Sequence, residues 1–490
     1  MSSTTTSPPT KTLNAYEPAM LADPPPPTSA VLHRSLKVPP LQVVSATARS
    51  VTFSSGATML DTTCGAAVSC IGYGNTRVRD AMVAQLDRFA YTNSMFFGTP
   101  IGEELAAELI RGTEGKMARA LVLSSGSEAM EAAMKMARQY FVEVGQGEKR
   151  VRFIAREGSY HGTTLGALSM SGHVGRRALF EGTGMLCGAV GRVAPCYAYR
   201  GLRDGETEAQ YVQRLAEELD AKFRELGPET VCAFVAEPVV GATLGAVPAV
   251  PGYFAAMKKV CDKYGALLIL DEVMSGMGRC GTLHEWMQEG VVPDIQTMAK
   301  GLGGGYAPIS AIMINHRVAD ALKAGTGAFA HGHTYQGHPV SCAAALEVQR
   351  IIREDNLVAN ARHLGMLLGD LLHQALDSHP YVGDIRGKGL FWALEFVADK
   401  STKEPFPRPK NVANAVHLVG LHNFGISLYP GNGSKDGVLG DHVLICPAYN
   451  STEEEIRGMV QRVRDTVYAT FSELEREGSA LRLGQPASKL

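Results

Sequence analysis

Two residues 29 positions apart, Asp271 and Lys300, are of types that do chemistry together. Asp271 and Glu272 close the short apolar run ALLIL at residues 266–270, which suits a strand buried on both faces. A carboxylate at the end of such a strand is costly unless paired, so the two acids predict a cationic partner. The carboxyl ends of parallel strands are also where α/β proteins place ligands. Lys300 follows the uncharged Thr297, Met298 and Ala299 and opens a turn containing Gly301, Gly303, Gly304 and Gly305. An amine so placed is a candidate nucleophile. The interval has room for a turn, a helix and a second strand, so both groups are expected to reach one site from neighbouring strands.

The same segment carries a rival pattern. Gly276, Gly278 and Gly281 satisfy G-x-G-x-x-G directly after a strand, with Asp294 a candidate ribose ligand, which describes a nucleotide site and an NAD-dependent dehydrogenase. Asp271 and Glu272 would then set negative charge just before the pyrophosphate turn, and Arg279 and Cys280 do not begin an apolar helix.

An acid closing a buried strand, then GMGRCG, then Pro293-Asp294, then a lone lysine opening a glycine-rich turn, resembles the class III, or ω-, aminotransferases. The resemblance implies that Lys300 carries pyridoxal 5′-phosphate as a Schiff base, that Asp271 pairs with the cofactor's pyridine nitrogen and that Val273 packs on its ring. It implies a transaminase moving an amino group from an amine or ω-amino donor to a keto acid, pyruvate being the family's common acceptor. Racemases, aminomutases and decarboxylating enzymes among wider relatives share these residues. The implied architecture is α/β of fold-type I: a large domain with a mainly parallel sheet, a small α+β domain made from both chain ends, and a homodimer with shared active sites.

Other motifs fall into place around this one. LVLSSGSEAMEAAMKMARQYF, residues 121–141, reads as a strand, a Ser-Gly-Ser turn and a helix. Ser125 with Glu128 makes a capping box, and Met130, Ala133, Met134, Ala137 and Phe141 keep one apolar face. Backbone N–H groups, hydroxyls and the positive dipole end of such a turn suit an anion, and the resemblance assigns Ser125, Gly126 and Ser127 to the cofactor phosphate. GSYHG puts Tyr160 and His161 in a glycine-bounded loop; the resemblance places Tyr160 over the ring face opposite Val273, with His161 beside it. Glu237, ahead of Pro238, matches the family's strand-end acid near the cofactor, and as a residue reads equally well as the partner of a structural cation. In HGHTYQGHP, Thr334 matches a threonine that reaches the phosphate of the other subunit's cofactor. His331, His333 and His338 of that motif have neither helical spacing nor nearby carboxylates, so no metal is indicated. The family walls its substrate pocket with loops that here hold Ala67, Phe96 and Phe97, and Ala242 joins them as a pocket candidate.

Two positions depart from the family pattern. Gly437 aligns with an arginine that pairs with a substrate carboxylate in many members, and no arginine lies between residues 425 and 446. The nearest cation, Lys435, is a point charge and not a bidentate fork. Ala67 aligns with a tryptophan of several amine-specific relatives. Together they predict amines bearing a bulky apolar or extended group as donors in preference to α-amino acids.

The chain divides into an extended arm (1–42), the N-terminal part of the small domain (43–90), the large domain (91–345), the C-terminal part of the small domain (346–478) and a tail (479–490). Alternation over residues 43–61 predicts two or three short strands with a turn at Ser55-Gly56, and the last helix is expected to open on a capping box of Ser451 and Glu454. The 490 residues are 45% hydrophobic and 20% charged with a formal net charge of −2, an ordinary globular composition that gives no reason to expect nucleic acid or an anionic membrane. No apolar run approaches the ~20 residues of a membrane span. Nine cysteines without a C-x-x-C pair indicate neither a disulfide framework nor a zinc site. The final Ser488, Lys489 and Leu490 read as a peroxisomal address if the source is eukaryotic; otherwise a cytoplasmic location is expected.

Overall fold

The computed structural model of the protein describes residues 29–38 and 40–476, so Ser488, Lys489 and Leu490 lie outside the described residues. A seven-stranded sheet forms its centre, in the order Met117–Leu123, Ser310–Asn315, Ile295–Met298, Leu267–Asp271, Val231–Ala236, Arg152–Arg156, Val190–Val193. All neighbours are parallel except Ser310–Asn315, which runs antiparallel to both of its partners. The fold is thus the α/β architecture with a mainly parallel sheet expected of fold-type I. Strands Val231–Ala236 and Leu267–Asp271 are buried at every residue because helices cover both faces. Alternation sends Ile269 to one side, under the Ala129–Ala137 face of helix Gly126–Glu143, and Leu268 and Leu270 to the other, under helices Glu208–Leu226 and Tyr253–Lys263.

Both chain ends build a second region. Strands Val43–Thr47, Ser50–Phe53 and Thr58–Asp61 pair in sequence, and Thr58–Asp61 also takes Ile426–Ser427 as a parallel neighbour. An antiparallel sheet of Val382–Lys388, Phe391–Phe396, Asp441–Ile445 and Tyr429–Asn432 lies with it. The expected division between residues 345 and 346 falls inside helix Pro339–Glu354, whose Ala344, Val348 and Ile352 belong to the core of this second region while Cys342, Ala345 and Leu346 pack with the large sheet. One rigid helix therefore serves both.

The last helix, Glu453–Arg476, does not open on Ser451 and Glu454. Thr452 and Glu455 form the reciprocal pair, Thr452 N donating to Glu455 Oε2 at 2.8 Å and Glu455 N to Thr452 Oγ1 at 3.2 Å. The nine cysteines form no disulfide, and only Cys187 is exposed. Among the described residues no helix is long and apolar enough to cross a membrane, and no group of three or more His, Cys, Asp or Glu is placed to hold a metal ion.

Candidate active site

Strand Leu267–Asp271 ends with Asp271 opposite Thr297 of the parallel neighbour Ile295–Met298, and Lys300 follows two residues beyond that strand. The two groups thus reach one sheet end from adjacent strands, as their spacing required. Among the described residues no lysine or arginine pairs with either acid, and the basic side chain that meets Asp271 is His161. Asp271, 4% exposed, accepts three hydrogen bonds: from His161 Nδ1 at 2.7 Å, from Thr297 Oγ1 at 2.9 Å and from Val273 N at 3.1 Å. Since a carboxylate has about four acceptor positions, it retains capacity for one further donor. His161 therefore does more than lie beside Tyr160. Its Nδ1 is bound to Asp271, while its Nε2 is buried without a partner.

Glu272 turns the other way. Its carboxylate accepts Glu285 N and Trp286 N, both at 2.8 Å, and burial raises its pKa to about 8. The two carboxylates thus have separate hydrogen-bond partners although they are adjacent in the chain.

Lys300 sits in a single 3-10 turn, Lys300–Leu302, with φ of +43°, a backbone conformation that costs a non-glycine residue about 1–3 kcal/mol and persists where the surroundings enforce it. Gln349 enforces it from behind, donating to the carbonyls of Gly301 at 3.1 Å and Leu302 at 2.8 Å. Burial holds the Lys300 ammonium below the ordinary lysine range, against the opposing pull of Cys446, Asp271 and Glu237. A cavity of about 220 Å³ lies against it, lined also by Ser124, Ser125, Gly126 and Ala299.

Ser125 caps helix Gly126–Glu143, its hydroxyl accepting Glu128 N at 3.3 Å, while Glu128 returns to Ser124 N and not to Ser125 N. The helix N-terminus therefore faces the Lys300 cavity. Gly126 is needed there because a Cβ would meet Val273 Cγ1 at 3.1 Å. Ser127 Oγ accepts Thr163 N at 3.0 Å and so ties the helix to the 160–163 loop. Among the described residues Glu237 makes no ion pair: it accepts Tyr160 N at 3.0 Å and Gly241 N at 2.9 Å, and burial raises its pKa.

Ala67 and Ala242 pack in one apolar cluster with Cys280, Phe391 and Cys446, at the edge of which His442 Nε2 donates to Ala242 O at 3.0 Å. Phe96, Phe97 and Thr334 do not join these groups within the chain; all three are exposed. Sequence reasoning missed Thr297 and Gln349. The first is signalled only by its register opposite Asp271, the second by nothing short of the packing of helix Pro339–Glu354.

The nucleotide pattern fails on geometry. The 276–281 turn leads to no long helix, only the single turn Trp286–Glu289, and wraps the buried Arg279, which donates to the carbonyls of Leu390 at 3.0 Å and Pro447 at 2.6 Å. Asp294 lies at the opposite end of the sheet from Asp271, accepting Leu268 N at 2.8 Å.

Comparison with known proteins agrees with this geometry. A model of the family Aminotransferase class-III matches residues 32–466. An aminotransferase of Gibberella zeae is 64% identical over 437 residues, covering 89% of this chain and 85% of its own. The solved structure of an (S)-enantioselective ω-transaminase from Thermomicrobium roseum is similar with a TM-score of 0.80 at 34% identity, covering 88% of this chain and 93% of that one. That of an amine transaminase from an uncultivated Pseudomonas species, in a form bound to pyridoxal phosphate, gives 0.81 at 31% identity, covering 92% and 100%.

Proposed function

The chain belongs to the class III aminotransferases, pyridoxal-phosphate-dependent transaminases, and from that premise we propose that it moves an amino group from an extended or bulky amine, or an ω-amino compound, to a keto acid such as pyruvate. The observation that carries the reading is Lys300: an amine pushed toward its neutral form by burial, held in a left-handed turn, and facing a cavity it shares with a helix N-terminus.

The residues fit the cofactor. Asp271 has an acceptor position left for a ring N–H, the start of helix Gly126–Glu143 with Ser125, Gly126 and Ser127 suits a phosphate, and Val273 lies against Gly126 between the two. When bound, pyridoxal phosphate supplies an electron sink that acidifies the substrate carbon bearing nitrogen. Lys300 Nζ is the attachment point and then the base that takes the proton from that carbon and returns it. Asp271 keeps a proton on the ring nitrogen; His161, donating from Nδ1, and Thr297 keep Asp271 aimed. Glu237 fixes Tyr160 on the opposite wall through its backbone N–H.

The working unit is a homodimer. Support comes from Tyr91, Met95, Phe96, Phe97 and Tyr335, which are exposed at 45%, 80%, 71%, 61% and 60%, with Tyr91 and Tyr335 in an edge contact at 6.0 Å beside Thr334. An aromatic patch of this kind is typical of an interface and would bring Phe96, Phe97 and Thr334 to the partner's site.

The test is spectroscopic and then kinetic. Purified protein loaded with cofactor is expected to show a visible band that borohydride bleaches, with the reduced adduct on the peptide containing Lys300. A donor panel against pyruvate is expected to rank arylalkyl and long-chain amines above small α-amino acids, and the reverse order would overturn the substrate reading while leaving the chemistry intact.

A further inference from the structure

An amino acid and its keto acid both carry a carboxylate, so a site that takes either needs a cation not already spent. Most cations around this site are already engaged. Arg279 is fully buried, donates from Nη1 to the Leu390 and Pro447 carbonyls and lies 4.6 Å from the Tyr449 ring, while its Nε and Nη2 are buried without a partner. Arg177 donates to the carbonyls of Leu168, Ser169 and Ser171 and pairs with Glu181. Arg192 bonds two of the same carbonyls, Arg386 is paired with Asp384 and Glu395, and Lys435 is paired with Glu404. Arg176 is different. It is exposed, makes no ion pair among the described residues, and holds its guanidinium over the Tyr160 ring at 4.8 Å.

Its placement follows from the surrounding chain. Arg176 lies in the single helical turn Val174–Arg177, where His173 Nδ1 accepts Arg176 N at 3.3 Å. Val174 of that turn is pressed against Gly437, whose φ is +84° and whose Cβ, if present, would meet Val174 Cγ2 at 2.5 Å. The 433–440 loop therefore sends no side chain into this space from Gly437, and the turn that fills it brings Arg176. Tyr160, beneath the guanidinium, donates its backbone N–H to Glu237 at 3.0 Å, and its neighbour His161 bonds Asp271 at 2.7 Å, so the stack adjoins the two carboxylates whose charge acts on Lys300.

We propose that Arg176 receives the carboxylate of the amino-acid or keto-acid substrate. Stacking on Tyr160 keeps the fork flat and leaves its N–H edge free for both carboxylate oxygens. The proposal rests on the transaminase reading. It is tested with holoenzyme carrying Arg176→Ala or Arg176→Lys, each half-reaction followed separately through the cofactor's absorbance, with 1-phenylethylamine and propanal as substrates that lack a carboxylate and β-alanine and pyruvate as substrates that carry one. Loss of a bidentate charge-assisted pair predicts KM higher by about 10- to 100-fold for the carboxylates in the alanine variant, with the pair lacking a carboxylate within about twofold and lysine recovering part of the loss. Calorimetric binding of 3-phenylpropionate, which cannot react, is expected to weaken by the same factor. Equal losses for substrates with and without a carboxylate, or unchanged KM for the carboxylates, would overturn the proposal. If the unaltered enzyme performs neither half-reaction, the transaminase reading fails first and this one with it.

Discussion

Asp271 and Glu272 are adjacent, both acidic and both buried, yet they belong to different machines. Asp271 acts on the Lys300 ammonium and is held by two side chains and one backbone N–H, so it remains an acceptor with capacity to spare. Glu272 looks into the protein, where Glu285 N and Trp286 N hold it and burial raises its pKa to about 8. Chemistry and architecture can thus share a dipeptide because a strand end points successive side chains to opposite sides.

The largest expected effect lies on the Asp271 side. Lys300→Ala should fold, since the alanine is smaller and Gln349 still holds the turn, but it should lose borohydride-stable cofactor attachment and several orders of magnitude in turnover. Near-normal turnover would remove Lys300 from the chemistry. Asp271→Asn comes next. A neutral amide cannot hold a proton on the ring nitrogen, so kcat is expected to fall by about 10²- to 10⁴-fold while thermal stability changes little. A large drop in Tm with retained kcat would instead make Asp271 a second Glu272.

Glu272→Gln should separate the two acids in the other direction. Because the folded-state pKa is raised, the native protein binds more protons than the unfolded chain from the ordinary glutamate range up to about 8, so this contribution to stability is complete at acid pH and lost as pH rises through that window. Glu285, also raised by burial, to about 7, slopes the same way. Tm of the parent is therefore expected to decline from pH 5 to pH 8, by roughly 1 kcal/mol of stability per unit, and the glutamine variant to flatten that decline with kcat within a few-fold of the parent. An unaltered slope would mean that Glu272 is ionised in the fold.

The parts of this site that were readable from sequence are those where charge interrupts an apolar pattern. Asp271 ends a wholly buried strand, Lys300 opens a glycine turn, and Ser125 begins an amphipathic helix; each is a local event. What was not readable depends on pairing or choice. Thr297 looks like any strand threonine until the register sets it opposite Asp271. Ser451 and Thr452 both stand three residues before a glutamate, and hydrogen bonding, not sequence, selects Thr452. Arg176 sits in HVGRR without periodicity, and only its stacking on Tyr160 sets it apart from Arg177. Thr334, Phe96 and Phe97 were drawn from resemblance alone, and one chain leaves them on the surface.

The smallest effect is expected at Thr297, and it probes how Asp271 is kept ready. Thr297→Val removes the 2.9 Å hydroxyl bond to Asp271 Oδ1 and keeps the β-branched shape that suits the strand. His161 and Val273 N still hold the carboxylate, so it is not orphaned, and the loss is that of one hydrogen bond to a charged group, about 1.5–3 kcal/mol when fully felt. Part of that falls on the fold. Turnover should therefore drop by about tenfold, far less than for Asp271→Asn, with KM for the donor nearly unchanged because the hydroxyl is behind Asp271 and not in the cavity. Thr297→Ser, which keeps the donor and loses a methyl, should restore turnover while remaining slightly less stable. If serine and valine are equally slow, packing and not the hydrogen bond is what Thr297 supplies, and the contrast between the two acids rests on His161 and Val273 N.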